Sequence, residues 1–200
     1  MQQLKPLAEL LQADPTNEFL GNISGLPVTL ENIHATVSGI YLRANVPEDV
    51  RNYMESIKNL TVFGVLHYPF YTHAMFLATT ALEMALRARF PIPGEDRRTM
   101  RPLIEEARKA GLVRDDCLPS SKRWHTDDPD LEQTESVAET SALPQQSYAE
   151  YAWRTMLNLR NKFLHRQQST IMTAWMAIDF LSLAAEMINA LFAESRTETR

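Results

Sequence analysis

The chain has 200 residues and a mass of 22.8 kDa, which is enough for a domain with its own hydrophobic core. Hydrophobic residues make up 44% of it, charged residues 22%, and only 6 residues are glycine, a composition that excludes disordered and fibrous proteins. The formal net charge of -5 excludes a global basic field for long nucleic acids, so any contact with RNA must be confined to a local cleft.

Several features predict a cytoplasmic protein. Cys117 is the single cysteine and cannot form an internal disulfide, which indicates a reducing compartment. Residues 1–20 lack the basic start and the cleavage site of a secretory signal, so we expect no export. The stretch 170–192 has membrane-spanning length, but Asp179 and Glu186 are costly in hydrocarbon. We therefore expect a buried helix there and no contact with a membrane.

The N-terminal residues 1–46 are predicted to be an irregular extension of the main domain, with a helix and a short β-hairpin. The hairpin is expected within residues 21–46, where β-branched and aromatic residues stand between glycines. Residues 47–200 are predicted to form a helical domain, which begins with Pro47 and the acids that follow it. This first helix is expected to end near Leu66, because Pro69 breaks it.

A long helix is predicted next, over residues 70–89, and a shorter one over residues 99–113. Alanines and leucines at the spacing of a buried helix face indicate the first of them, and the prolines at 91 and 93 end it. The second has Pro102 in its first turn and Gly111 at its C-terminal cap. Residues 118–144 are rich in acids and interrupted by prolines, so we expect an acidic surface loop or a partly disordered insert.

The last 56 residues contain neither glycine nor proline, which predicts two long helices, at about 146–167 and 170–194. In the first, Ala152, Met156, Leu159 and Phe163 have the spacing of one buried face. The second is apolar nearly all round and must be covered by its own domain or by a second subunit. The expected fold is an all-α bundle of four to five helices, and a homodimer is predicted because such a bundle would hardly cover this helix alone.

Motifs for cofactor, P-loop, zinc and hydrolase chemistry are absent from the sequence: it has no GxGxxG, Walker loop, CxxC, HExxH or GxSxG. We therefore expect no cofactor and no metal site. The chemistry that the sequence does offer lies in "LNLRNKFLHRQ", residues 157–167. Arg160 and His165 are five residues apart, about 140° around a helix, and Asn161 and His165 share a face.

A metal-free ribonuclease needs such a set of side chains. Histidine titrates near neutrality and can move the protons of the attacking 2′-OH and of the leaving oxygen. Arginine carries a permanent charge and a fork of donors that matches phosphate oxygens. The spacing of Arg160 and His165 alone is weak evidence, since a chain with this many arginines yields it readily by chance.

The stretch "LRNKFLH" resembles the R-x4-6-H signature of the HEPN superfamily, in which a polar residue, often Asn, follows the arginine. The segment "YPFYTHAMFLATTALEMALRARF" is similar to the HEPN helix that carries an A-L-E sequence, and "LIEEARKAGLV" is similar to a short helix that follows it. The resemblance covers about residues 47–200. It implies a HEPN-like helical bundle that dimerises, so that two copies of the motif share one cleft.

In many members of that superfamily the cleft cleaves RNA without a metal ion, and many act as toxins or in antiphage defence. Carried onto this chain, the resemblance implies that Arg160 stabilises the scissile phosphate, His165 is the general acid or base, and Asn161 orients one of them. Lys162 and Arg166 are the expected substrate-binding residues.

The resemblance leaves the partner protein open, whether an antitoxin or a regulatory protein. Toxins paired with a nucleotidyltransferase antitoxin often have Tyr two residues after the His, and this chain has Gln167 there.

Two alternatives stay open. A HEPN-like module could bind a nucleotide, an RNA or a protein without cleaving it, and the acidic pI favours this reading. Alternatively the motif is structural, with Arg160 paired to Glu83 or Asp179. Glu83 is also one turn from Arg87, the spacing of a surface ion pair, and Asp179 on its apolar helix needs a partner if it is buried. Glu83 and Asp179 are therefore supporting candidates for the site.

Overall fold

A computed structural model of the protein describes residues 4–24, 27–91, 99–124, 147–164 and 173–193. All regular elements in these ranges are helical, which confirms the predicted all-α class. Two 3₁₀ turns, Leu7–Glu9 and Asp115–Cys117, accompany the α-helices. The α-helices are α1 (Pro15–Ser24), α2 (Leu30–Ser38), α3 (Glu48–Phe63), α4 (Pro69–Arg89), α5 (Met100–Lys109), α6 (Ser121–Trp124), α7 (Tyr148–Leu164) and α8 (Ala174–Leu191).

The helices predicted after residue 46 are all present within a few residues of their expected bounds. Pro47 and the acids Glu48 and Asp49 start α3, as their preference for a first helical turn predicts. Gly111 follows the end of α5 with a φ of 64°, the left-handed conformation that glycine adopts most easily. The chain forms more helices than the expected four to five, because the extension and the start of the insert are helical too.

The predicted hairpin within residues 21–46 is wrong, because α2 occupies the middle of that segment. Thr29 caps α2, its hydroxyl accepting a hydrogen bond from the backbone N–H of Asn32 at 3.2 Å. Ile33 and Val37 are buried, and their spacing of four residues is that of a helix face. Their β-branched side chains suggested a strand, but burial against the bundle outweighs that local preference.

Helix α8 lies at the centre of the fold and packs chiefly on α4. It has the length and hydropathy of a membrane-spanning helix, yet 67% of that stretch is buried inside the fold. Its own chain therefore covers most of α8, and the homodimer stays a prediction. Much of the large hydrophobic surface that stays exposed lies near the N-terminus instead, including Leu4, Leu7, Leu11 and Phe19.

The N-terminal segment is fastened to the turn between α3 and α4. Asp14 is buried, and its carboxylate accepts hydrogen bonds from the backbone N–H groups of Thr16 and Tyr68 at 3.0 and 2.9 Å. Burial by itself raises the pKa of Asp14, but these hydrogen bonds and the charge of Lys5 outweigh it and hold the pKa below its usual value. The Asn17 side-chain N–H donates to the carbonyl of Gly64 at 2.9 Å.

The close packing of this turn depends on Gly64. A Cβ atom at that position would lie 2.5 Å from the ring of Tyr71, which is completely buried. Burial also raises the pKa of the Tyr71 hydroxyl, so this phenol stays neutral. The turn therefore permits no side chain at position 64 without movement of a core ring.

The first part of the predicted acidic loop is packed against the bundle. Leu118 is buried, and Ser120 donates hydrogen bonds from its backbone N–H and its hydroxyl to the Glu186 carboxylate on α8, at 3.1 and 2.7 Å. The Asp115 carboxylate, three residues before Leu118, accepts hydrogen bonds from the backbone N–H groups of Tyr148 and Ala149. Asp115 therefore caps the N-terminus of α7. Residues 125–144 of the predicted insert lie outside the described residues.

Candidate functional site

A groove of about 500 Å³ runs between α7 and the start of α5. This volume is within the range of small-molecule and cofactor sites, roughly 300–1,000 Å³. Its lining is rich in arginine and asparagine and comprises Thr99, Met100 and Arg101 from the start of α5, and Arg154, Leu157, Asn158, Arg160 and Asn161 from α7.

The periodicity of α7 explains which of its side chains reach the groove. Arg154, Leu157, Asn158 and Asn161 stand at the i, i+3, i+4 and i+7 positions of one helix face. The opposite face carries buried Ala152, Trp153 and Met156, which attach α7 to the core. Because the apolar face of α7 packs on the core, its polar face forms one wall of the groove.

Arg160 is held at the edge of the groove by an ion pair with α4. Its guanidinium lies 3.0 Å from one carboxylate oxygen of Glu83, and the other oxygen is 2.8 Å from the guanidinium of Arg87. The Arg160 and Glu83 side chains are 26% and 17% exposed, so the pair is partly shielded from water. One carboxylate thus bridges two arginines, and the three side chains keep a net charge of +1.

The charged side chains in the described part of the groove lining are all positive. Three of its lining residues are arginines, and the described lining contains no acidic side chain. In the first turn of α5, Thr99 makes no side-chain capping hydrogen bond, so the positive end of the helix dipole adds to the potential of the groove. A guanidinium group offers paired donors to phosphate oxygens, which makes an anion such as a phosphate the natural ligand of this surface.

The structure brings some of the predicted site residues together and leaves others untested. Arg160 and Asn161 both line the groove, and Glu83 contacts Arg160. The backbone of Lys162 continues α7, but its side chain, like all of His165 and Arg166, lies outside the described residues.

Asp179 joins none of the site residues that the structure describes. Its side chain is exposed on α8, and it forms no ion pair with any residue in the described ranges. Of the two acids that the sequence offered as partners of Arg160, Glu83 forms the ion pair and Asp179 does not. Exposure also removes the reason for expecting a partner, since an exposed carboxylate is hydrated by water.

Sequence reasoning missed three residues of the groove: Arg101, Arg154 and Asn158. The signal for two of them was present, because positions 154 and 158 precede Asn161 by seven and three residues and so share its helix face. No spacing in the sequence could have indicated Arg101, which reaches the groove only because α5 packs beside α7.

In the part of the chain that the structure describes, no group of three or more His, Cys, Asp or Glu side chains is placed to hold a metal ion. Comparisons with known families, with curated proteins and with solved structures gave no significant match.

Proposed function

We propose that the chain is a metal-independent endoribonuclease of HEPN type, which cleaves RNA by attack of a 2′-OH on the adjacent phosphate. One observation carries the proposal: Arg160 and Asn161 of the HEPN-like motif line the same groove as two further arginines. These two residues of the motif are therefore part of a concave surface whose described lining is rich in arginine. The resemblance of residues 47–200 to the HEPN bundle is the second support.

In this proposal Arg160 binds the scissile phosphate and stabilises the negative charge that grows on it as the 2′-OH attacks. His165 acts as the general acid or base, and Asn161, four residues before it, orients it or the phosphate. Lys162 and Arg166 would bind neighbouring parts of the RNA. Glu83 is a positioning residue, because its ion pair fixes the guanidinium of Arg160 at the groove.

The ion pair also supports the second candidate, a module that binds RNA, a nucleotide or a protein without cleaving it. Glu83 already satisfies part of the Arg160 guanidinium, so that less of it is available to a transition state. The ion pair involves one nitrogen of the Arg160 guanidinium, so the other nitrogens can donate to a phosphate in either case.

The proposal includes a homodimer with a shared cleft, a cytoplasmic location, and a role as a toxin or in antiphage defence with an antitoxin or regulatory partner. The dimer and the biological role rest on the resemblance. The location rests on the single Cys117 and on the burial of α8 within the fold.

The test is incubation of the purified protein with total RNA in EDTA. Wild type is compared with Arg160→Ala and His165→Ala. The matched controls are Arg108→Ala, an exposed arginine on α5 outside the groove lining, and His73→Ala, an exposed histidine on α4. We expect cleavage by the wild type and both controls, and a loss of at least about 100-fold in each motif variant.

Two results would count against the enzyme. If folded wild-type protein leaves RNA intact but binds it through Arg160, the binding module is the better account. If cleavage survives in Arg160→Ala, the motif is not the active site. Sedimentation of the same samples tests the shared cleft, which requires a dimer at micromolar concentration.

A further inference from the structure

Two arginines of the groove lie apart from the HEPN-like motif. Arg154 is six residues before Arg160 on α7, about 9 Å along the helix axis. Arg101, in the first turn of α5, lines the same groove. Both are exposed, and Arg101 forms no ion pair within the described ranges. The described lining therefore holds two guanidinium groups in addition to that of Arg160.

A single phosphate explains only part of this arrangement. Arg160 is partly neutralised by Glu83, whereas the described groove residues offer no carboxylate to Arg101. Arg154 and Arg160 are also about 120° apart around the helix, yet both line the groove, so their long side chains reach it from two directions. Two phosphates of one strand can thus be bound at the same time.

The remaining lining suits the bases of such a strand. Leu157 presents apolar surface, and Asn158 and Asn161 present amide groups that donate and accept hydrogen bonds. Unpaired bases offer both an apolar face and free hydrogen-bonding edges, while a duplex hides them. The groove of about 500 Å³ is also too small for a duplex, and the net charge of -5 provides no wide basic surface around it.

We propose that Arg101 and Arg154 form a second phosphate subsite, which makes the ligand of the groove a single strand of at least two nucleotides. The strand lies along α7, with one backbone phosphate between Arg101 and Arg154 and the next at Arg160. The proposal rests on the proposed function for the role of Arg160, but it concerns binding and does not require that the strand be cleaved.

The test uses a fluorescent single-stranded 2′-O-methyl oligonucleotide of ten nucleotides, which cannot be cleaved by attack of a 2′-OH. Its binding to the full chain is followed by anisotropy over a range of salt concentrations. The variants are Arg101→Gln, Arg154→Gln and the double variant. Arg108→Gln is the matched control, since it removes an exposed arginine from the same helix as Arg101 but outside the groove lining. A DNA strand and a duplex of the same sequence are the other two probes.

We expect each groove variant to weaken binding about tenfold, as for the loss of a hydrogen bond to a charged group. The slope of log affinity against log salt should decrease by about 0.7 for each lost phosphate contact, while Arg108→Gln behaves as the wild type. The single DNA strand should bind, because the subsite contacts phosphates, and the duplex should bind at least tenfold more weakly.

The subsite is refuted if the wild type does not bind the single strands, if the duplex binds as tightly, or if the groove variants match the control. The outcomes also separate the two proposals. Arginine-dependent binding of the oligonucleotide without cleavage of RNA would remove the ribonuclease and keep the subsite. Cleavage of RNA that is insensitive to Arg101 and Arg154 would keep the ribonuclease and remove the subsite. Thermal unfolding of every variant checks that the fold is intact.

Discussion

Replacement of Glu83 by glutamine should reveal how α4 positions the motif. The change keeps the shape of the side chain but removes the charge that lies between Arg160 and Arg87. The Glu83–Arg87 pair has i, i+4 spacing, worth about 0.3–0.5 kcal/mol, and the more shielded Glu83–Arg160 pair belongs near the upper end of the range for exposed pairs, about 1 kcal/mol. We therefore expect Glu83→Gln to lower the free energy of unfolding by about 1–1.5 kcal/mol. For a chain of this length, that is a decrease in Tm of about 2–6 °C.

The same substitution should tighten the binding of the 2′-O-methyl oligonucleotide. A phosphate bound to the far side of the Arg160 guanidinium would be repelled by the Glu83 carboxylate, by about 0.7 kcal/mol for two charges 6 Å apart in water. Affinity should thus increase about threefold. Cleavage of RNA should nevertheless slow, because the guanidinium is no longer held in one position.

The assay is a double-mutant cycle with Glu83→Gln, Arg160→Gln and both changes, followed by chemical denaturation. The cycle should give a coupling energy of about 1 kcal/mol between the two side chains, and Arg87→Gln in a second cycle should give less. A coupling energy near zero for Glu83 and Arg160, together with unchanged binding of the oligonucleotide, would refute the positioning role.

Three other substitutions test the packing that supports the groove. Gly64→Ala should destabilise the fold by about 1–3 kcal/mol in urea, because its methyl group would overlap a buried tyrosine ring, whereas Gly39→Ala, with only a 3.4 Å contact, should have a small effect. Asp115→Ala should lower the free energy of unfolding by about 1 kcal/mol, because it removes the cap of α7. Asp116 is exposed, so Asp116→Ala should change this free energy little, and equal effects of the two substitutions would argue against the cap. The pKa of Asp14 is lower in the folded protein than in the unfolded chain. The carboxylate therefore stabilises the fold fully at a pH above its unfolded-state pKa, and this stabilisation is lost as the pH falls through its folded-state pKa. The stability difference between wild type and Asp14→Asn should therefore shrink below about pH 4 in pH-dependent denaturation, and a constant difference would contradict this.

The helices from α3 onward could be predicted because their local signals agree with their packing. Proline at position 47, the break at Pro69 and the positive φ of Gly111 mark helix ends by backbone constraints that do not depend on the rest of the fold. The apolar face of α7 likewise depends only on spacing. For these elements the local sequence and the tertiary structure impose the same conformation.

Features that depend on tertiary contacts could not be predicted. Ile33 and Val37 suggested a strand, yet they are buried as one face of α2, and Leu118 anchors a segment whose composition indicated a free loop. Arg160 had two acids of equal standing as partners in the sequence, and only the packing of α7 on α4 selects Glu83 over the exposed Asp179. The groove itself combines two helices that are distant along the chain, so that Arg101, one of its three described arginines, carried no local signal.

The central claim is that the groove cleaves RNA by 2′-OH attack, and the nature of the product ends tests it most directly. A single-stranded RNA of defined sequence is incubated with the protein in EDTA, next to a strand of the same sequence with 2′-O-methyl groups, and the products are identified by mass spectrometry. The account predicts fragments ending in 2′,3′-cyclic phosphate from the RNA alone, with Arg160→Ala and His165→Ala inactive. Intact RNA under conditions in which the 2′-O-methyl strand binds the groove, or fragments with other ends, would contradict it.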